Sequence, residues 1–195
     1  MQISEKKKQN KRYAKEWLTE EEVDKLFKLR PINWRDLIIL YLLYGCALRV
    51  SELCSLRVED IVGEKSRLII RKSKNEPNPT VVPIPSKVMK ILQMYMAACE
   101  YKSGNLLTGT NKSMNRKTIY IIVKNLAKKA GIKKRITPHT FRRSRATHLL
   151  DSGLSIEKVS QLLRHKQITT TQEYLKLSPE KLQEAMKDID PLEKS

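Results

Sequence analysis

The chain has 195 residues, of which 40% are hydrophobic, so it can bury one sizeable core and we expect a single globular domain. Lysine and arginine number 39 against 21 acidic residues, and the formal charge of +18 repels itself in a compact fold unless a polyanion is the usual partner. The composition excludes collagen-like and low-complexity chains and makes nucleic acid the obvious partner.

Membrane insertion, secretion and metal binding are not expected. The longest apolar run, Leu37–Leu48, has 12 residues, well short of the ~20 that span a bilayer. The lysine-rich N-terminal stretch is followed by no apolar region, so we expect no signal peptide. The three cysteines form no CxxC pair, which argues against a disulfide framework or a zinc site and fits a reducing cytoplasm.

The N-terminal region divides into a basic arm and the start of a helical domain. Residues 1–16 carry six Lys or Arg against two Glu, without hydrophobic periodicity, which predicts a flexible arm or linker that either solubilises the chain or contacts DNA. Thr19 and Glu22 form a capping box, so the first helix should begin at Thr19. A second helix, at about 35–44, is apolar nearly all round and should therefore be central before it breaks near Gly45.

Arg49 and Glu52 come directly after this central helix. Residues three apart share a helical face, so Glu52 can hold the Arg49 guanidinium in one orientation. Taken alone, the pattern favours a structural ion pair at the start of a helix.

Residues 67–84 predict a β-hairpin, because two β-rich runs flank a turn that contains Asn and Pro. Lys72 and Lys74 are two apart near its tip, so on a pleated strand both side chains leave the same face. Without evidence of what the tip of the hairpin contacts, the default interpretation is that both lysines are solvated.

A cationic helix is predicted in the second half of the chain. Ser86 should cap an amphipathic helix that reaches about Cys99. Between residues 112 and 135 there are nine Lys or Arg and no acid, superposed on a helix of about 115–130 with one apolar face. A solvated face normally mixes charges, so we prefer a surface that tracks phosphates. The predicted DNA contacts are Arg116, Lys117, Lys124, Lys128 and, on the next helix, Arg143.

The segment 137–174 carries all three histidines of the chain, spaced as if they converge on one site. Thr137-Pro138 is an N-cap with proline at the first helical position, so a helix should run from there to about Asp151. Leu149 and Leu150 mark its predicted buried side.

His139 and Arg142 lie three apart in this segment and therefore share a face beside the helix N-terminus, where an anion is favoured. Ser155 should cap a further helix, Ile156–Leu163, which ends in Arg164-His165. Tyr174 is predicted to lie in a short helix beyond it.

In order and spacing, these motifs closely resemble the tyrosine recombinase family, the phage-integrase and Xer-like enzymes. The shared motifs are GCALRVSEL, a lysine hairpin ending in VVPIP, TPHTFRRSRATHLLDSG, LLRH, and a tyrosine nine residues after that histidine. The resemblance covers about residues 17–188 and corresponds to the catalytic domain of the family. It implies an α+β, mainly α-helical fold with a small antiparallel sheet or hairpin on one side, in a domain at 17–190 between the arm and a tail at 191–195.

The resemblance also implies a role for six positions. They are a first phosphate-binding arginine at Arg49, a general-acid lysine at Lys74 or Lys72, a general base at His139, a second arginine at Arg142, a supporting histidine at His165 and the nucleophile at Tyr174. The sequence departs from the family around them. Arg164 replaces the usual glycine, and Arg143 and Arg145 stand where His and Phe are common. The hairpin turn is longer than typical, and Lys74 needs the smaller insertion.

The implied reaction cleaves and rejoins DNA strands through a 3′-phosphotyrosyl bond to Tyr174. It needs no metal, cofactor or small-molecule substrate, and it implies a homotetramer on double-stranded DNA in the nucleoid-associated cytoplasm, with no membrane partner. Two alternatives stay open. One is a non-catalytic helix-turn-helix DNA-binding protein that reads DNA with the helices at 138–163, and the other is a type IB topoisomerase-like enzyme that relaxes DNA.

Overall fold

The structure is a computed structural model that describes residues 17–71, 78–108 and 114–164. Most of these residues are helical. In these residues there are seven α-helices and one small sheet. The helices are α1 (Glu20–Phe27), α2 (Trp34–Gly45), α3 (Val50–Ser55), α4 (Ser86–Ala98), α5 (Arg116–Lys129), α6 (Pro138–Asp151) and α7 (Ile156–Leu163). None of the helices in this described part is long and apolar enough to cross a bilayer.

The sheet has three antiparallel strands, β1 (Ile61–Val62), β2 (Arg67–Ile70) and β3 (Thr80–Pro83), in the order β1-β2-β3. Strands β2 and β3 form the predicted hairpin, in a register that pairs Arg67 with Pro83 and Ile70 with Thr80. The predicted fold class, mainly helical α+β with a small antiparallel sheet, is therefore confirmed. Strand β1 was not predicted, because two residues are too few to show an alternating pattern.

Helix α2 is the centre of the hydrophobic core, as its all-round apolar sequence predicts. Every residue from Leu37 to Gly45 is buried, and α2 contacts α1, α3, α4, α5 and α6. Each large aliphatic side chain that is removed from water here contributes roughly 1.5–3 kcal/mol. The turn that follows α2 is therefore attached directly to the buried core, and its residues Cys46, Ala47 and Leu48 are themselves buried.

Most helix starts are set by local capping. Thr19 and Glu22 form the predicted capping box of α1, and the side chains of Thr137 and Ser155 accept backbone N–H bonds at the starts of α6 and α7. The prediction for α4 was wrong by one residue: Ser86 is already helical, and the preceding proline, which has extended backbone angles, occupies the N-cap position without a side-chain bond.

The predicted buried face of α6 is wrong at one residue. Leu149 is fully buried, but Leu150 is 40% exposed. Successive helical residues point about 100° apart, so neighbours do not generally share a narrow buried face. Phe141, Arg145 and His148 complete the buried side instead, so the core face of α6 includes an arginine and a histidine.

His148 is buried in the core and does not share one site with the exposed His139, contrary to the sequence prediction. Its Nε2 lies 2.8 Å from the carbonyl oxygen of Leu18, which can only accept, so Nε2 carries the proton. Its Nδ1 then accepts from the hydroxyl of Tyr44 at 2.8 Å. Ser144 receives the backbone N–H of Leu18 at 2.8 Å. These bonds attach the start of the domain and the end of α2 to α6.

Burial lowers the pKa of His148 below its ordinary value. The bond to the Leu18 carbonyl and the charge of Glu20 oppose this effect in part, and the charge of Arg145 adds to it. The unfolded chain therefore binds a proton at a higher pH than the native state does. Stability that depends on neutral His148 is complete above the unfolded pKa and is lost as the pH falls below it.

We predict that the free energy of unfolding falls by about 1 kcal/mol more between pH 7.5 and pH 5.5 in the wild-type chain than in His148→Gln. The glutamine has no proton to take up, so its own stability penalty is constant over this range. Urea denaturation of both chains at the two pH values measures the difference. Equal pH dependence of the two chains would show that His148 does not couple protonation to folding.

Candidate active site

Helix α6 places two of the predicted site residues on one face at its N-terminus. His139 lies in the first turn and is exposed, whereas Arg142, one turn later, is only 3% exposed. The Nη1 of Arg142 donates to the carbonyl oxygen of Ala47 at 2.6 Å. This bond joins the start of α6 to the turn between α2 and α3.

That turn carries the first predicted arginine. Ala47 has a positive φ of 48°, which reverses the chain after α2, and Arg49 is the N-cap of α3. The Arg49 backbone N–H donates to Oε2 of Glu52 at 2.7 Å, and its Nη1 donates to Oε1 at 2.8 Å. The predicted pairing of Arg49 and Glu52 is thus confirmed, and its side chains are 35% and 3% exposed, respectively.

A second arginine shares the same carboxylate. Arg164, the first residue after α7, donates from Nη2 to Oε2 of Glu52 at 2.6 Å. In return, Nη2 of Arg49 donates to the backbone carbonyl of Arg164 at 2.7 Å. Sequence reasoning noted Arg164 only as a departure from glycine and missed this contact, since a partner 112 residues away leaves no local pattern.

The electrostatics of this cluster keep Glu52 ionised. Burial alone raises the pKa of the Glu52 carboxyl, but the charge of Arg164 and then the bonds and charge of Arg49 outweigh burial, so the pKa lies below its ordinary value. One carboxylate is thereby shared by two guanidiniums, which leaves the cluster with net positive charge. Beside it stands the buried guanidinium of Arg142.

The turn at residues 47–52 thus brings together the two predicted arginines, and His139 extends from the same face of α6 as Arg142. Lys72, Lys74, His165 and Tyr174 lie outside the described residues. Arg164, the described residue directly before His165 in the sequence, does contact this turn, because it bonds both Arg49 and Glu52. Within the described ranges, no group of three or more His, Cys, Asp or Glu side chains could hold a metal ion.

A cationic surface covers α5 and the beginning of α6. Its predicted apolar side is buried, and the five predicted DNA contacts are all exposed. These are Arg116, Lys117, Lys124, Lys128 and Arg143. A groove of about 820 Å³ runs beside α5, between Tyr120, Lys124 and Lys128 on one side and residues 131–136 on the other. Charge and shape both suit an extended polyanion.

Known proteins resemble this chain over most of its length. The model of the phage integrase family matches residues 16–181. A tyrosine recombinase of Pseudothermotoga lettingae is 39% identical over 165 residues, which cover 85% of this chain and 57% of the relative. The tyrosine recombinase XerA of Pyrococcus furiosus is 39% identical over 181 residues, 90% of this chain and 62% of the relative. The chain therefore spans less than two thirds of the length of these curated relatives.

Solved structures share the fold. A crystal structure of XerA recombinase superposes with a TM-score of 0.72 at 28% identity and covers 90% of this chain and 65% of that one. An integrase from mycobacterium phage Brujita has the same TM-score at 21% identity, over 87% of this chain and 56% of that one. The Tn1549 transposon integrase in complex with transposon right end DNA gives a TM-score of 0.65 at 21% identity, over 89% of this chain and 65% of that one.

We predict that Glu52→Gln lowers the free energy of unfolding by about 3 kcal/mol, because removal of the carboxylate leaves the buried Arg164 guanidinium without its counter-charge. Chemical denaturation at pH 7 measures the loss. Glu59→Gln is the matched control, since Glu59 pairs with Arg57 at the surface, where both side chains are about 40% exposed, and its loss should be much smaller. Equal losses in the two variants would contradict a central role for Glu52.

Proposed function

Because the chain belongs to the phage integrase family, we propose that it is a site-specific tyrosine recombinase that cleaves and rejoins DNA through Tyr174. The observation that carries the proposal is the anchoring of Arg49 and Arg142 on one turn, by the Glu52 carboxylate and the Ala47 carbonyl. Two guanidiniums held in this way suit a single phosphodiester.

The two arginines bind the non-bridging oxygens of the scissile phosphate in this mechanism. Guanidinium donors match phosphate geometry and can bind it bidentately. Negative charge on these oxygens grows as the pentavalent transition state forms, so the same bonds strengthen during the reaction. Because Arg49 and Arg142 are already bonded to the protein, little reorganisation is needed at that moment.

The nucleophile must lose a proton. A free tyrosine has a pKa of about 10, so its phenolate at pH 7 costs roughly 4 kcal/mol. His139, exposed in the first turn of α6, accepts this proton. The phenolate oxygen of Tyr174 then attacks phosphorus and forms the 3′-phosphotyrosyl bond. His165, directly after the Arg164 that bonds Glu52, donates a hydrogen bond to the phosphate.

The leaving 5′-oxygen takes a proton from the hairpin lysine, Lys74 or Lys72, and departs as a hydroxyl. The hydroxyl of another strand can reverse the reaction by attack on the phosphotyrosyl bond, which releases Tyr174. One phosphate ester is exchanged for another in each step, so no external energy source is required.

Double-stranded DNA is the proposed substrate and partner, bound along the cationic surface of α5. Lys124 and Lys128 line the groove beside α5 and contact phosphates, and the lack of acids from residue 112 to 135 keeps this surface attractive to DNA. The Tn1549 integrase and a XerH recombinase are solved as DNA complexes. We extend the proposal to a homotetramer on DNA in the nucleoid-associated cytoplasm.

Covalent trapping tests the nucleophile. We predict that nicked suicide duplexes, taken from the DNA that flanks the chain's own gene, give a denaturant-resistant protein–DNA adduct, because the nicked fragment diffuses away before rejoining. Tyr174→Phe should abolish the adduct and keep DNA binding, since it removes one hydroxyl group. Gel electrophoresis in denaturant measures the adduct. An adduct that persists in Tyr174→Phe removes Tyr174 from this role, and binding without any adduct favours the helix-turn-helix reader.

A second experiment tests the phosphate clamp, which is formed by Arg49 and Arg142. Arg142→Ala should slow adduct formation by ~10²-fold or more at saturating DNA, because it removes donors that act in the transition state. Arg142→Lys should also be slow, since an ammonium group keeps the charge but not the fork geometry. Arg35→Ala, which removes an arginine paired with Asp36 on α2, is the control and should keep the wild-type rate. A loss confined to DNA affinity would contradict the clamp.

A further inference from the structure

Arg164 occupies a position where the tyrosine recombinases that this sequence resembles usually have glycine. Its backbone is left-handed, with φ 54° and ψ 50°, a conformation that glycine adopts freely and that strains other residues. Yet its side chain is almost completely buried and well bonded. Nη1 donates to the carbonyl of Leu162 at 3.1 Å, and Nη2 donates to Glu52. Because the backbone is strained and the charge is buried and bonded, we infer that the arginine side chain makes a contact that the site needs.

The contacts of Arg164 separate into a backbone part and a side-chain part. Its carbonyl accepts from Arg49, and any residue at this position could accept that bond. Its side-chain contact with Glu52 needs a long cationic side chain, here the guanidinium. The side chain therefore adds a second link between the end of α7 and the turn that holds Arg49.

This second link changes how Arg49 is held. The Glu52 carboxylate receives Arg49 on both oxygens, through Nη1 and the backbone N–H, and it receives Arg164 on Oε2. With Arg164 in place the carboxylate is fixed from two sides and its charge is shared. The bonds of the Arg49 guanidinium to Glu52 and to the Arg164 carbonyl use two of its five N–H donors. Because the side chain is partly exposed, its other donors can reach a phosphate.

We propose that Arg164 is a positioning residue, which holds Glu52 against Arg49, so that the phosphate-binding guanidinium of Arg49 keeps one arrangement. The inference rests on the proposed recombinase function and assigns this chain a positioning contact that a glycine cannot make. Arg164 acts through Glu52 and Arg49 and does not itself bind the phosphate.

Single-turnover kinetics test the role. Arg164→Gly should fold, because glycine relieves the left-handed backbone, and should bind the suicide duplexes within about 2-fold of wild type, while adduct formation at saturating DNA slows by about 10-fold. Arg164→Lys should recover much of the rate, since an ammonium can pair with Glu52. Arg57→Met, which removes an arginine paired with Glu59, should keep the wild-type rate. Melting temperatures are measured for each variant, and rates are compared well below them.

A double-mutant cycle gives a readout that a purely structural role would not move. Glu52→Gln leaves the Arg164 guanidinium buried beside a neutral amide, so adding Arg164→Gly should restore part of the lost adduct rate instead of lowering it further. Two independent losses that multiply would overturn the proposal.

These experiments distinguish failure of the recombinase function from failure of the role of Arg164. Absence of an adduct with the wild-type chain overturns the recombinase function itself. A wild-type adduct whose rate is equalled by Arg164→Gly, or a loss that follows DNA affinity alone, overturns only the role of Arg164.

Discussion

The carboxylate of Glu52 is the interaction on which the candidate site depends. The Glu52 side chain is 3% exposed, and it receives three hydrogen bonds from Arg49 and Arg164, which lie 115 residues apart in the sequence. A buried carboxylate is stable only when it is paired and fully hydrogen-bonded. The chain must therefore bring the end of α7 onto the start of α3, and this requirement places the residue before His165 beside the first arginine.

Helix α6 completes the arrangement, because each of its ends is attached to a different part of the central helix region. Near its start, Arg142 bonds the carbonyl of Ala47 just after α2. Near its end, His148 bonds Tyr44 in the last turn of α2 and the carbonyl of Leu18. The guanidinium of Arg145 lies over the ring of Tyr44, 5.4 Å from its centroid, between these two attachments. The cationic groups are thus positioned by a rigid core, which is the arrangement that electrostatic stabilisation of a transition state requires.

Local signals in the sequence predicted most of the fold, and long-range contacts account for what was missed. Capping residues such as Thr137 act within one turn, so the helix starts could be located to within a residue. The pair of Arg49 and Glu52 was also visible, since its partners lie three apart. The contact of Arg164 with Glu52 and the burial of His148 were not, because their partners are more than 100 residues away in the chain. Resemblance to a family supplied the site residues, but it pointed to glycine at position 164 and gave no reason to expect a bonded guanidinium there.

Identification of the residue that carries the DNA is the most direct test that this chain is a tyrosine recombinase. Trypsin cuts after Lys166 and Lys176, so the peptide of residues 167–176 contains Tyr174 as its only tyrosine, together with three consecutive threonines. After nuclease digestion of the trapped adduct, tandem mass spectrometry should find a nucleotide joined through its 3′-phosphate to the Tyr174 oxygen. A nucleotide on a threonine, on another peptide or on none would contradict the proposed function.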